Sequence, residues 1–270
     1  MSIITISRGS YSKGKEIAEK VAAELGYECV SRDILLEASE QFNTPEIKLV
    51  RALHDAPSVL NKFTHGKERF VAYIREALLS HFQRDNVVYH GLAGHFFLTG
   101  VNHALKVRII ADLEDRVLHE MERERISREQ ALKVLQKDDD ERRRWSLTLY
   151  GVDTTDTSLY DLCIHIRKIT VNDAVQIICH TARLPHFETT ESSQKTLDDL
   201  ALGAKVQSAI VGAWPDAKVE ADGGRVTIHV EAPRLQESKV CGQIAAIAEA
   251  VPGVKEVVVE ALPSAFLGFE

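Results

Sequence analysis

The chain has 270 residues, of which 44% are hydrophobic and 6% aromatic, and it carries a formal net charge of −7. This length and apolar content suffice for one large domain and one small one. The negative net charge excludes a general attraction to nucleic acid or to an anionic membrane surface. Any phosphate-binding site must therefore be local.

The first residues, MSIITISR, lack the basic, apolar and small-residue segments of a signal peptide, and no apolar run approaches the ~20 residues of a spanning helix. We therefore expect a cytoplasmic protein without a transmembrane segment. The cysteines are scattered with no CxxC pair, which argues against a disulfide framework and a zinc site. We expect four buried, small apolar side chains: Cys29, Cys163, Cys179 and Cys241.

The amino-terminal residues form a strand–loop–helix pattern. Residues 3–7 are mostly β-branched, GSYSKGK follows at 9–15, and EIAEKVA at 16–22 has helical periodicity. The loop meets the G-x-x-x-x-G-K spacing of a phosphate-binding loop, although the Ser or Thr that usually follows the lysine is Glu16. An ordinary turn would also meet this spacing. The flanking strand and helix favour a turn that aims backbone N–H groups at a polyphosphate.

Lys15 is the catalytic candidate in this loop, because its ammonium would reach the β- and γ-phosphate oxygens of ATP. Glu16 either binds Mg²⁺, directly or through water, or is only a first-turn acid favoured by the helix dipole. The predicted ATP phosphate-binding residues are Gly9, Ser10, Tyr11, Ser12, Lys13, Gly14 and Lys15.

Strand patterns at 27–30, 87–91, 105–111 and 160–166 alternate with helical patterns from 34, at 44–84 and at 171–181. Alternation of this kind predicts βαβ units and a parallel, doubly wound sheet. The fold class expected is α/β, with a parallel sheet flanked by helices.

Residues 113–145 are predicted to form one long charged helical stretch. It is either a solvated face with i,i+4 ion pairs or a mobile lid whose arginines close on transferring phosphates. Its place between the fourth and fifth strands favours the lid. Arg142 is the catalytic candidate, because a planar guanidinium can bind phosphate oxygens at two points. Adjacent arginines point in different directions on a helix, so Arg142, Arg143 and Arg144 cannot all face the site. The lid candidates are Asp139, Arg142, Arg143 and Arg144.

The predicted acceptor-binding residues are Arg8, Arg32 and Asp33. Arg8 follows the first strand and would contact a nucleotide or pair with an acid such as Asp33. Arg32 and Asp33 lie where an acceptor would meet the second strand, but they would equally serve as helix-capping residues. His90 is interpreted as a core histidine bonded to the backbone.

Residues 185–195 have the polar composition of a linker. A helix at 197–213, strands at 217–220 and 225–231, a helix at 235–250 and a strand at 254–261 predict a small α-β-β-α-β unit with a hairpin at Asp-Gly-Gly. We therefore expect a large domain over 1–184, a linker over 185–195 and a small domain over 196–270.

Four segments are similar to one family: ISRGSYSKGKEIAEKVAAELG, SRDIL, the D-x-x-R-x-x-W at Asp139, and YDLCI. They resemble the cytidylate kinase-like family, a branch of the nucleoside monophosphate kinases, over about residues 3–182. The resemblance implies a P-loop sheet with a helical lid, ATP and Mg²⁺ as cofactors, and phosphoryl transfer to a nucleoside monophosphate, nominally cytidylate. Three positions depart from it: Ser31 and His90 replace acidic residues, and Leu92 replaces an arginine.

The segments ADGGRVTI and VPGVKEVVV resemble a BON domain. This resemblance implies an interaction module that engages a protein partner or self-associates through residues 196–270. The three departures keep a second function open, a nucleotide-binding regulatory protein with weak or no turnover that acts through this module. Nucleic acid is not an expected partner.

Overall fold

A computed structural model describes residues 2–9, 12–31, 66–91 and 94–263. Within these ranges five parallel strands form one sheet in the order β2-β3-β1-β4-β5, with β1 at its centre. The carboxyl ends of parallel strands share one edge, so the loops that follow β1, β3, β4 and β5 meet there. The strands are β1 (Ile3–Arg8), β2 (Glu28–Val30), β3 (Val87–His90), β4 (Ala104–Ala111) and β5 (Leu162–Ile166).

Helices cover both faces of this sheet, which confirms the predicted α/β fold class. The helices are α1 (Gly14–Leu25), α2 (Gly66–Phe82), α3 (Leu113–Glu124), α4 (Arg128–Tyr150) and α5 (Val171–Ala182). Helices α1 and α5 bury one face through residues such as Ile6, Ile17, Val107 and Ile178. The other face packs against α2, the end of α4 and a 3-10 helix, Gly94–Phe97, through Leu78, Phe97 and Trp145.

The stretch predicted as helical over residues 113–145 consists of two helices. Helix α3 ends at Glu124, and the φ of its C-cap residue Arg125 is left-handed, at 55°. Ser127 then caps α4, and its side chain and that of Gln130 bond reciprocally to each other's backbone N–H groups. A capping box of this kind satisfies two N–H groups that a continuous helix would not expose. Val117, Ala131 and Leu135 hold the resulting helical hairpin together.

The carboxyl-terminal residues form the predicted α-β-β-α-β unit. It consists of α6 (Glu191–Ile210), β6 (Lys218–Asp222), β7 (Arg225–Ala232), α7 (Glu237–Glu249) and β8 (Glu256–Pro263). Strand β7 is central, antiparallel to β6 and parallel to β8. The predicted hairpin at Gly223 and Gly224 joins β6 to β7.

Helix α6 begins at Glu191, earlier than the predicted Leu197, because Thr190 and Ser193 form a capping box. The range predicted as a linker therefore contains a 3-10 helix, Pro185–Phe187, and the first turn of α6. Leu197 and Ala204 pack in the core below the parallel sheet, whereas Val206 and Ile210 pack in the core of the small sheet. One helix is thus shared by both cores.

The expectation of four buried cysteines holds fully only at Cys179. Cys179 is buried and Cys29 and Cys241 are partly buried, but Cys163 is exposed. Strand β5 is at the edge of the sheet, and Cys163 points away from the face on which Ile164 is buried. In the described part of the chain no helix has both the length and the apolar character needed to cross a membrane.

Candidate phosphate-binding site

The junction of β1 and α1 is a tight turn at the carboxyl edge of the sheet. The N–H of Gly9 donates to the carbonyl of Ile109 at the end of β4 (3.4 Å). Lys13 has left-handed φ and ψ angles of 61° and 13°, and α1 begins at Gly14. Lys13 makes no side-chain cap, whereas Ser127, Thr170 and Thr190 cap α4, α5 and α6. The side chain of the N-cap residue therefore bonds to none of the first N–H groups of α1.

The Ser12 side chain holds this turn against strand β4. Its side chain is fully buried, and its Oγ lies 3.0 Å from the carbonyl oxygen of Gly9 and 3.2 Å from that of Ile109, to which it can donate. The hydroxyl is therefore used to hold the loop against β4. Only the backbone N–H of Ser12 is left as a candidate phosphate donor.

Gly14 lies directly on the side chain of Arg8. A Cβ added at Gly14 would be 2.8 Å from both Cβ and Cδ of Arg8, closer than real Cβ contacts. A glycine is therefore required where the helix starts, because any larger residue would push the loop off β1. Arg8, the predicted acceptor-binding residue, is half-buried below the first turn of α1.

Lys15 and Glu16 lie on the exposed side of the first turn of α1. Lys15 Nζ is 3.6 Å from a carboxylate oxygen of Glu19, and Glu16 is 3.0 Å from Lys20 Nζ. Both pairs are i,i+4 contacts between solvated side chains, which bind weakly. Either side chain can therefore leave its partner for a ligand at little cost. The described residues contain no group of three or more His, Cys, Asp or Glu side chains arranged to hold a metal ion.

Arg116 is a basic residue of the site whose role sequence reasoning missed. A Cβ added at Gly9 would lie 3.9 Å from Nη1 of Arg116, so this guanidinium stands next to the loop. Its Nη2 donates to Asp139 Oδ2 (2.7 Å), and the Arg116 side chain is 11% exposed. The predicted lid residue Asp139 therefore joins α4 to α3 beside the loop. The spacing of 23 residues between the two charges gave no sequence signal of this pair.

The three adjacent arginines of α4 lie in different surroundings. Arg142 is half-buried and is spaced three residues from both Asp139 and Trp145, on one face of the helix. Trp145 packs edge-on against Phe70 of α2, with ring centroids 5.9 Å apart. Arg143 pairs with Asp153 (2.8 Å), and Arg144 is exposed.

Polar side chains line the sheet face opposite α1. On β1, Ser7 Oγ lies 3.2 Å from the hydroxyl of Tyr160, which donates to it. On β4, Arg108 bonds to the same hydroxyl (3.2 Å) and to the carbonyl of Thr154. The sequence indicates this polar face through the alternation of polar and apolar residues in TIS (5–7) and KVRI (106–109), which places Ser7 and Arg108 on one face of the sheet.

His95 completes this polar face. It is buried in the 3-10 helix, and its ring centroid is 4.9 Å from that of Tyr160. A Cβ at Gly94 would clash with the ring of Tyr89, so a glycine lets this helix lie close to the sheet. Burial and the positive charges of Lys106 and Arg108 lower the pKa of His95 to about 3, and its imidazole is neutral at pH 7.

Several predicted residues lie outside the described ranges: Ser10, Tyr11, Arg32 and Asp33, together with Leu92, one of the three departures. The other two are described, and His90 is buried at the end of β3, as predicted for a core histidine.

Comparison with solved structures finds the same fold. An uncharacterized protein from Eubacterium ventriosum is 20% identical over 67% of this chain and 98% of its own, with a TM-score of 0.51. Weaker similarities include shikimate kinase from Bacteroides thetaiotaomicron (10% identity, 68% and 99% coverage, TM-score 0.41). Dephospho-CoA kinase from Campylobacter jejuni is also similar (17% identity, 67% and 97% coverage, TM-score 0.37). A search of the curated proteins gave no match.

A family model described as the cytidylate kinase-like family matches residues 3–168, more than half of the chain. The matched range runs from β1 to the loop after β5 and contains the turn around Ser12, Arg116 and the D-x-x-R-x-x-W segment of α4. The unit formed by α6 to β8 lies outside it. The protein therefore belongs to the cytidylate kinase-like family.

Proposed function

We propose that this kinase transfers the γ-phosphoryl group of ATP to a nucleoside monophosphate, with cytidylate as the nominal acceptor. The observation that supports it is the start of α1, where Lys13 leaves the first N–H groups without a capping side chain next to a loop held by Ser12. Such N–H groups and the positive end of the helix dipole bind phosphate oxygens.

The side chains around this loop have complementary roles in the proposal. The amide groups of residues 9–15 surround the donor phosphates, and Lys15 reaches the β- and γ-oxygens. Arg116, oriented by Asp139, contacts the phosphates from the side of α3. Arg142 closes on the transferring group as part of a lid formed by α3 and α4. Of the three adjacent arginines only Arg142 is half-buried, whereas Arg143 pairs with Asp153 and Arg144 is exposed.

Mg²⁺ is expected to arrive with ATP. It would neutralise charge on the β- and γ-phosphates when bound. Glu16 occupies the position at which a Ser or Thr hydroxyl usually binds Mg²⁺. Its ion pair with Lys20 is exposed, so its carboxylate is available to bind the ion directly or through a water molecule. The hard oxygen chemistry of a carboxylate fits this ion.

A transfer assay tests the proposal. Purified protein with ATP and Mg²⁺ is offered CMP, dCMP, UMP, AMP and GMP, and nucleoside diphosphate formation is measured. We expect turnover with at least one acceptor, and a loss of about 100-fold in kcat/KM for Lys15→Ala, the size of effect seen when a transition-state charge partner is removed. Lys239→Ala, an exposed lysine on α7, is the matched control. A protein that binds ATP but phosphorylates none of these acceptors contradicts the proposal.

The shared helix α6 favours a second candidate, a nucleotide-binding regulatory protein that acts through its carboxyl-terminal module, proposed to be BON-like. Helix α2 follows the segment that contains the predicted acceptor residues, and it packs along α6. Arg69 of α2 donates to the carbonyl of Gly212 (2.7 Å), and Gln83 bonds to Asp198 (2.8 Å). A partner that binds the module would thereby act on α2.

Turnover separates the two candidates. A rate in the range of about 1–100 s⁻¹, usual for kinases, supports the enzyme. Tight ATP binding without transfer supports the regulatory protein. Light scattering of the full chain at several concentrations shows whether the module self-associates, in which case the molecular mass rises with concentration.

A further inference from the structure

Two basic residues alternate along β4 on the polar face of the sheet. Lys106 and Arg108 are half-buried, and they pair in register with Thr5 and Ser7 of β1. Ser7 is the last but one residue of the strand that leads into the phosphate-binding loop. Arg108 therefore lies level with the strand end that leads into that loop, and Lys106 lies two residues further from it, on the side of the sheet away from α1.

The charge of Arg108 is not neutralised by a carboxylate within the described part of the chain. Nη1 makes both of its hydrogen bonds, to the carbonyl of Thr154 and to the hydroxyl of Tyr160, and its carbon Cζ is 5.5 Å from the centre of that ring. These partners are neutral. Nε and Nη2 remain as donors, and a guanidinium uses such a pair to bind a phosphate at two points.

Within the described ranges no carboxylate forms an ion pair with Lys106 or Arg108. The exposed Asp161 accepts from the backbone N–H of Lys106 (2.8 Å), not from its ammonium. His95 is neutral at pH 7, and its buried Nε2 has no hydrogen-bond partner among the described residues. The buried Oγ1 of Thr5 also has none. Buried polar atoms are nearly always bonded in the functional state, so this face is built to receive a polar, anionic group.

We propose that Arg108, assisted by Lys106, binds the phosphate of the acceptor nucleotide and takes the place of the arginine that the family resemblance expects at Leu92. This inference rests on the proposed function. Gly91 bonds to the carbonyl of Ile6, so the end of β3 is level with Ser7 and Arg108, on the far side of β1. Two strand spacings amount to roughly 10 Å. A cation on β4 can thus serve the same acceptor from the opposite side.

The test compares Arg108→Met and Arg108→Lys with the wild type, using CMP as the probe. We expect KM for CMP to rise about 30-fold in Arg108→Met and less in Arg108→Lys, which keeps the charge but cannot bind at two points. In both variants KM for ATP should stay within about twofold of the wild-type value, and the thermal unfolding midpoint should stay within a few degrees of it. Arg108 also holds the loop at Thr154, so a purely structural role must be separated from binding.

Asp153→Asn is the matched control for the structural role. Asp153 anchors the same loop by accepting from Arg143 and from the backbone N–H of Thr155. If Asp153→Asn raises KM for CMP as much as Arg108→Met, the arginine acts only through the loop and the inference is overturned. An unchanged KM for CMP in Arg108→Met overturns it equally.

Equilibrium titration with CMP in the presence of a non-hydrolysable ATP analogue covers the case of no turnover. A wild type that binds CMP but transfers nothing refutes the proposed reaction, and weaker CMP binding by Arg108→Met would still support the inference. A wild type that transfers phosphate, with unaltered CMP affinity in the variant, refutes the inference alone. A wild type that binds no CMP overturns the inference, and the transfer assay with the other four acceptors then decides the proposed function.

Discussion

Apolar clusters pack on both faces of the parallel sheet, but toward the carboxyl ends of β1 and β4 the two faces have opposite character. Toward α1 and α5, β1 and β4 present Ile4, Ile6, Val107 and Ile109, all buried in one apolar cluster. Toward the other side the intervening residues are Thr5, Ser7, Lys106 and Arg108. The comparison teaches that stability and ligand chemistry are divided between the faces of single strands, one residue apart.

The largest effect is expected at two neighbouring residues of β1 that face opposite sides of the sheet, Thr5 and Ile6, whose variants should differ in the free energy of unfolding. Ile6→Ala should lower the free energy of unfolding by about 2–5 kcal/mol, because it leaves a cavity in the packed face. Thr5→Val should leave it unchanged or raise it, because Thr5 is buried and its Oγ1 has no partner among the described residues. Urea unfolding measures both. Equal losses in the two variants would show that Thr5 contributes as much to the packing of its face as Ile6 does to the packing of the other.

The polar face should also make stability depend on pH. His95 has a folded-state pKa of about 3, below its ordinary value near 6.5, so between these values the unfolded chain binds a proton that the folded chain does not. Stability therefore falls as the pH is lowered through this window, by about 2 kcal/mol between pH 6.5 and 5.

His95→Phe removes this contribution, so the urea midpoint of the variant should depend less on pH between 6.5 and 5 than that of the wild type. His103, whose pKa is also lowered by burial, remains in both proteins and cancels in the comparison. The same pH dependence in wild type and variant would place the unfavourable protonation elsewhere.

A smaller effect is expected where α3 meets α4 beside the loop. Asp139→Asn removes the charge that orients Arg116, and we expect kcat/KM for ATP to fall about tenfold, equal to about 1.4 kcal/mol. The stability should change by less than about 1 kcal/mol, because Asp139 is partly exposed. Glu114→Gln is the control, since it breaks the exposed Glu114–Arg128 pair between the same two helices. Equal kinetic losses in both variants would mean that only the packing of the hairpin matters.

The smallest effect is expected on the exposed side of α1. Glu19→Gln removes the partner of Lys15, but the pair is solvated and 3.6 Å apart, so KM for ATP should change by less than about twofold. Initial-rate measurements at several salt concentrations check this. A tenfold change would show that Glu19 holds the ammonium of Lys15 away from the phosphates.

Local patterns in the sequence were sufficient for the order of strands and helices, because alternation and helical periodicity are read over a few residues. They failed where a short capping motif outweighed composition. The polar run before Leu197 reads as a linker, yet Thr190 and Ser193 start α6 inside it. Likewise Ser127 begins a second helix inside a charged stretch that reads as one.

The sequence by itself determined the turn between β1 and α1, the parallel sheet and the small α-β-β-α-β unit, since each depends on neighbours along the chain. Only the tertiary structure brought Arg116 to Gly9, bound Ser12 to Ile109 of β4, and placed Arg108 level with Ser7. Those contacts join residues that are far apart in sequence. Their geometry is set by strand register and helix packing, which a single sequence does not encode in any local pattern.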